Sequence, residues 1–398
     1  MNENSFAMKK EVVARVDELS ETLIDVSHAL HAQPELGYEE YFAHELLTNV
    51  INEEGLAITR SAFGLDTAFS AIAGNEGPLV AVLCEYDALP EIGHACGHNI
   101  IAAAGLGAGL AAALVANKAK GRVVILGTPA EEGGGGKIKM IEAGAFDEID
   151  AAVMIHPADA DMASLYSLAV QQLKVTYIGQ AAHAAAAPEK GVNALDAAVL
   201  GYVNVAALRQ HISPDERLHG IFIDAGEKAN VVPEKASAVW YARSPSLEGL
   251  ERLKIRLLRA LNAGAEAAGC EFEYEWVEPL YEDVVDNEVL LKSYIANAAT
   301  VGREVEESPR DPLIASTDLG NVSRVVPSIH PMIKVAPFGT PIHTREFARA
   351  AISPEGDDAV LDAAKTLAMT IVDCWTDPTV LDTARIAFQK NEVRETYA

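Results

Sequence analysis

The chain opens with apolar residues at three- and four-residue intervals: Val12, Val13, Val16, Leu19, Leu23, Val26 and Leu30. That period lines one side of a helix. Pro34 interrupts the stripe, and a second helical stretch is predicted over residues 39–54, before Gly55. Three short apolar runs follow at residues 78–83, 122–126 and 151–155, with helical material between them. Runs rich in β-branched residues and lacking alternation suit strands covered on both faces, as in a mostly parallel α/β sheet. In such sheets the ligand crevice lies beyond the carboxyl ends of the strands. Here those ends carry Cys84-Glu85-Tyr86-Asp87, then Gly127-Thr128-Pro129-Ala130-Glu131-Glu132, then His156-Pro157.

Between residues 166 and 280 the pattern changes. Strands are predicted at 173–178, 219–223, 236–242 and 270–276, and helices at 192–210 and 246–268. Ser246 is placed to cap the second helix, whose one face carries Leu247, Leu250, Leu253, Leu257, Leu258 and Leu261. The order β-α-β-β-α-β is that of a ferredoxin-like α+β sandwich. A strand at 332–336 and a helix at 357–373 then resume the first pattern. The expected organisation is a larger domain with helices on both sheet faces (residues 1–165 and 281–398) and a smaller inserted domain (166–280).

Composition narrows the functional classes. The 398 residues are 49% hydrophobic and 22% charged, as in a folded chain, and exceed one ordinary core. A net charge of −27 disfavours nucleic acid and anionic membrane surfaces as partners. Four cysteines in so long a chain make no disulfide framework. The N-terminal residues lack the apolar core of a secretory signal, so a cytoplasmic location is expected. Residues 100–116 are uncharged and apolar but mostly Ala and Gly, which suits a buried helix.

Candidate chemistry clusters after the strands. Cys96 and His98 stand two apart in Gly93-His94-Ala95-Cys96-Gly97-His98-Asn99, and Glu131 and Glu132 are adjacent before four glycines, 133–136. No Gly-Lys-Ser/Thr follows those glycines, so they read as room for a turn rather than a phosphate loop. With His156 and His343, the residues Cys96, His98 and Glu132 supply five N, O and S donors, enough for two borderline-soft divalent ions sharing a ligand. Glu131 is left over as a base. In the inserted domain His183, Asn230 and Arg243 could bind a substrate carboxylate and polarise a carbonyl. His211 and His219 are further candidate substrate contacts, whereas His28, His31, His44 and His330 have no evident partner set.

These residues carry a resemblance to the di-metal amidohydrolases of metallopeptidase family 20. It extends from His31-Ala32-Gln33-Pro34-Glu35-Leu36 to His343 and is most specific at Asp87-Ala88-Leu89-Pro90, at residues 94–99 and at residues 129–136. Residues 179–188 and 230–233, with Gly191-Val192-Asn193-Ala194, add to it. The resemblance implies that Cys96 bridges two metals, with Glu132 and His343 on one and His98 and His156 on the other. It makes Glu131 the general base and proton shuttle. It implies a homodimer whose inserted domain serves as dimerisation or lid domain, with His183 reaching the partner's site to hold the oxyanion and Asn230 and Arg243 binding substrate.

Asn99, where auxin-conjugate and hippurate-type members have Asp, is similar to the branch of aminobenzoyl-glutamate hydrolase and β-alanyl-lysine-type dipeptidases. Ser316-Thr317-Asp318-Leu319-Gly320 resembles that branch too, as does the run from His343 to Phe347. Glu85 stands where many members have a metal-binding His, and His98 is expected to supply that donor instead. The expected activity is release of an amino acid from a dipeptide, N-acyl amino acid or aminobenzoyl-glutamate-like substrate, with zinc, manganese or cobalt. Three alternatives are kept: an N-acetyl- or auxin-conjugate-type amidohydrolase, a non-catalytic binding protein, and a nucleotide-dependent oxidoreductase suggested by Gly105-Leu106-Gly107-Ala108-Gly109.

Overall fold

The computed structural model describes residues 3–307 and 314–397, with side chains as far as residue 390. The chain divides into two compact units: Met1–Tyr166 with Val284–Ala398, and Ser167–Asp283. Each has its own apolar core.

In the first unit six strands form one sheet. Their order is Ile58–Arg60, Phe69–Ala73, Arg122–Gly127, Leu79–Cys84, Ala151–Val153 and Ser328–Ile329. The last four run parallel, and the first two join antiparallel at one edge. Alternate residues of the central strands serve opposite sides, because side chains on a strand point alternately up and down. Val80, Val82, Val123 and Ile125 join the core under the helices Glu3–Glu18, His98–Ala119 and Pro354–Thr376. Leu79, Ala81, Leu83, Val124 and Leu126 pack on the other side with Met140, Phe146, Leu319 and Val322. The lack of alternation in the sequence thus reflects a sheet with both faces covered.

The N-terminal stripe is divided between Glu3–Glu18 and Ser20–Ala32, and Val12, Val16, Leu19, Leu23, Val26 and Leu30 are all buried. The apolar stretch at 100–116 belongs to His98–Ala119. This helix is long and apolar enough to cross a membrane by length and composition, yet 89% of its most apolar window is buried inside the protein. The glycines from 105 to 109 lie in mid-helix, and a Cβ on Gly109 would come within 2.4 Å of Ile125. They serve close packing, not the strand-to-helix turn of a dinucleotide site.

One predicted strand is shorter than expected. Pairing with the sheet stops at Val153, and His156–Ala158 pairs instead with Met332–Lys334 in a separate parallel ladder. Met154 and Ile155 remain buried while the chain changes partner, which is why an apolar run overestimates the strand.

The second unit contains Ala169–Ile178, Ala194–Leu208, Arg217–Asp224, Lys235–Ser244, Leu247–Ala268 and Glu271–Tyr281, in β-α-β-β-α-β order. Its antiparallel sheet runs fourth, first, third, second, the ferredoxin-like arrangement. Leu173, Val175 and Tyr177 pack with Leu250, Leu253, Leu257 and Leu261. Ser246 caps the longer helix, accepting from the Gly249 N–H at 3.2 Å.

Candidate active site

The carboxyl ends of the parallel strands bring the predicted donors of the first unit together. Leu79–Cys84 runs into Glu85 and Asp87, and His98 opens the helix His98–Ala119 behind Gly97. Gly97 has φ +81, and a Cβ there would come within 2.8 Å of Pro157, so the bare backbone lets the His156–Pro157 segment close on Cys96. Glu131 and Glu132 follow the strand Arg122–Gly127, where Gly133 and Gly135 take positive φ before the helix Gly136–Glu142. His343 also has positive φ, +61, and its N–H donates to the Ala95 carbonyl at 2.9 Å, tying its loop to the Cys96 segment. A non-glycine residue held there is a strain that surrounding structure must impose.

Cys96 belongs to two donor trios, one with His98 and His156, the other with Glu132 and His343; within each trio the ligand atoms lie within 4.8 Å of one another. Cys96 Sγ is 3.4 Å from His156 Nε2, and His343 Nε2 is 3.2 Å from Glu132 Oε1. His156 Nδ1 donates to the Pro157 carbonyl at 2.7 Å, which leaves Nε2 as the lone-pair nitrogen facing the thiol. His98 Nε2 is buried with no hydrogen-bond partner among the described residues. Such an atom is costly unless something fills it, and the mixture of thiol, imidazole and carboxylate fits borderline-soft divalent metals.

Asp87 organises the centre. One oxygen meets His98 Nδ1 at 3.0 Å, fixing which nitrogen faces inward, and the other accepts from the Glu132 N–H at 2.9 Å. Burial works against its charge, but His98 and that N–H hold Asp87 below the usual carboxylate range. Burial first and Glu132 second push the Cys96 thiol far up, so a thiolate here needs a cation, and metal loading must release a proton. Burial, then His98, lowers His156 to about 4, keeping it neutral as a ligand must be. Burial followed by Glu85 and Glu132 raises Glu131 well above its ordinary value. Its Oε2 is 3.8 Å from His98 Nε2.

The sequence did not disclose a second layer. Glu85 Oε1 is 2.5 Å from Lys137 Nζ, which also donates to Asp318 Oδ1 at 2.7 Å, and all three residues are buried. Glu85 is therefore engaged by a lysine, while its Oε2 faces His98 Nε2 at 3.6 Å. Nothing in the local sequence joins positions 85, 137 and 318; only the fold does.

In the second unit His183 Nδ1 accepts from the N–H groups of Ala185 and Ala186, each at 3.2 Å, so the proton sits on Nε2 as a free donor. The Asn230 carbonyl accepts from the Ala184 N–H at 3.0 Å, placing Asn230 beside His183. Arg243 is not with them. It pairs in register with Val170, eight residues along the strand from Lys235, which pairs with Ile178 near the His183 end, so about 26 Å separates the two ends. Arg243 Nε donates to His219 Nε2 at 3.4 Å. Among the other histidines, His28 bonds Asp357 at 2.7 Å, His31 the Ala348 carbonyl at 2.8 Å, His44 packs on Phe69, and His330 lies 5.5 Å from His156, ring to ring. The His211 carbonyl accepts from Arg256 at 2.8 Å.

Residues 82–371 match peptidase family M20/M25/M40. The chain belongs to this family. It is similar to the Xaa-Arg dipeptidase of Mus musculus, at 42% identity over 96% of this chain and 92% of that protein. It is also similar to a p-aminobenzoyl-glutamate hydrolase subunit of Escherichia coli, at 28% identity over 90% of each chain. Among solved structures, a dinuclear metal binding peptidase of the M20 family from Bacillus subtilis has the same fold, with a TM-score of 0.72 and 20% identity over 90% of this chain and 99% of that one. As an M20/M25/M40 peptidase the chain is a peptide-bond hydrolase, and the oxidoreductase and non-catalytic readings are set aside.

Proposed function

We propose that this chain is a di-metal dipeptidase that releases a cationic amino acid from a small dipeptide. The observation that carries the proposal is that Cys96 lies in both donor trios, with Glu131 beside them. Cys96, His98 and His156 would hold one ion, and Cys96, Glu132 and His343 the other, zinc being the best match to a thiol and three imidazoles. Bound there, the ions would supply Lewis acidity, polarising the scissile carbonyl and lowering the pKa of water towards ~7. Glu131 accepts the proton of the attacking water on a carboxylate oxygen and passes it to the leaving nitrogen. Asp87 holds His98 in its tautomer and the Glu132 backbone in place throughout.

His183, with its proton on Nε2, is suited to donate to the oxyanion, Asn230 helps to bind the substrate, and Arg243 pairs with its carboxylate. About 26 Å of strand separates Arg243 from the His183 end, a spacing that supports a site drawing His183 and Arg243 from different copies. An exposed apolar edge supports a homodimer. Among the described residues the strand Arg217–Asp224 is bonded on one side only, and Ile221 is 67% and Ile223 51% exposed. Val199, Leu200 and Val203 present a further exposed apolar face on the neighbouring helix. The four free thiols suit a reducing, cytoplasmic setting.

The preference for a cationic product rests on the named relative and on the net charge of −27, which attracts cations. A second reading, hydrolysis of aminobenzoyl-glutamate or N-acyl amino acids, is favoured by the Escherichia coli relative. A panel of Xaa-Arg and Xaa-Lys dipeptides, aminobenzoyl-glutamate and N-acetyl amino acids, with zinc, manganese or cobalt added back, separates them. Fastest cleavage of the basic dipeptides is expected; cleavage of the anionic conjugate alone selects the second reading, and no cleavage with any metal rejects both.

A further inference from the structure

Lys137 is fully enclosed at the start of the helix Gly136–Glu142, five residues beyond Glu132. Its Nζ bonds Glu85 and Asp318, and its backbone N–H donates to the other Asp318 oxygen at 2.9 Å. Asp318 thus grips the lysine at both ends and anchors the segment that carries the Glu131–Glu132 pair. Glu85, Glu131 and Asp318 each bring an oxygen to within 4.8 Å of the others. Three carboxyls at that spacing in a buried site resist ionising together unless a cation stands among them. The ammonium is that cation, and Glu131 lies within its electrostatic reach. Stability is a weak reason for such a cluster, because well-packed apolar residues often replace a buried ion pair without loss.

We propose that Lys137 is a positioning residue whose ammonium, fixed between Glu85 and Asp318, holds the Glu131 carboxylate where the hydrolytic proton transfer needs it and keeps a further metal ion out of this acid cluster. The proposal rests on Glu131 as the general base. It also gives Glu85 a role: with Oε1 held by Lys137, Oε2 is left facing His98.

The test compares wild type, Glu131→Gln and Lys137→Ala in kcat, KM and metal ions per chain, with and without n-propylammonium. Lys137→Ala should lose about 100-fold in kcat, the scale of a misplaced catalytic group, with KM unchanged. It should bind two ions, or a third in the vacated place, and regain kcat saturably with propylammonium. Wild-type kcat, or loss of turnover in a folded protein that propylammonium does not restore, overturns the proposal. Should Lys137→Ala not fold, Lys137→Met with Glu85→Gln and Asp318→Asn removes the buried charges together. That variant should fold and bind two ions yet turn over slowly, and near-normal kcat overturns the proposal. Glu131→Gln separates the two claims. If it retains wild-type kcat, the base assignment falls; if it is dead while Lys137→Ala is active, only the role of Lys137 falls.

Discussion

At the scale of single residues, the proposed mechanism gives Cys96 and Glu131 different tasks, and substitution should separate them. Glu131→Gln should lower kcat by at least 100-fold, as loss of general base catalysis does, while metal analysis still finds two ions per chain. Cys96→Ala should instead lose metal, since both trios share that sulfur, and added metal should restore little activity. Equal metal loss in the two variants would contradict the division of labour. The convergence of the candidate donors was legible in the sequence because their types and strand-end positions carry the signal: a thiol two residues from an imidazole, and an acid pair closing an apolar strand. Lys137 was not, and Asp318 stood in the 316–320 motif without a role. A lysine in a Gly-Lys-Ile-Lys stretch reads as surface, and only tertiary closure across 181 positions turns it into a buried cation. Asp87 stood out as part of a motif, but its two-sided grip on His98 and Glu132 needed coordinates.

At the scale of elements, the turn that presents Glu131 is held by an acid from elsewhere in the chain. Ala130 has φ +57, and its N–H donates to Glu40 Oε1 at 2.8 Å, while Thr67 donates to the other oxygen at 2.8 Å. Burial, above all, raises Glu40 from 4.5 to about 7. A carboxyl raised on folding gives its full stability below pH 4.5 and loses it as pH climbs to about 7, at roughly 1.4 kcal/mol for each tenfold change in proton affinity. Glu40→Gln keeps an acceptor for the Ala130 N–H and a donor for the Thr67 hydroxyl, so denaturant midpoints should depend less steeply on pH between 4.5 and 7 than in wild type. The exposed edge strand makes a second test. Under the proposed homodimer, wild type should sediment as a dimer and Ile221→Glu with Ile223→Glu as a monomer without turnover, because a charged edge resists strand pairing; a monomeric wild type overturns the dimer. The elements themselves followed from periodicity where the runs were long and continuous. The antiparallel strand Phe69–Ala73 was missed, being five residues without a distinctive pattern, and the segment up to His156 was over-extended because burial outlasts sheet pairing.

At the scale of the whole molecule, the net charge of −27 should guide substrate approach. For a basic dipeptide kcat/KM should fall as ionic strength rises from ~0.01 to ~0.3 M, while a neutral dipeptide should change little, because salt shortens the reach of surface charge. Equal salt dependence for both would place selectivity within the pocket alone. The unit that holds the metal donors is also assembled from two stretches of chain separated by the entire ferredoxin-like unit. Its long helix Pro354–Thr376 packs on His98–Ala119, and His343 lies beyond the insertion. During synthesis the inserted piece emerges with all its strands and can fold while the surrounding core still lacks a wall. A nascent chain that has emerged from the ribosome as far as residue 283 would therefore carry one finished unit and one open half, with the His343 imidazole still to come.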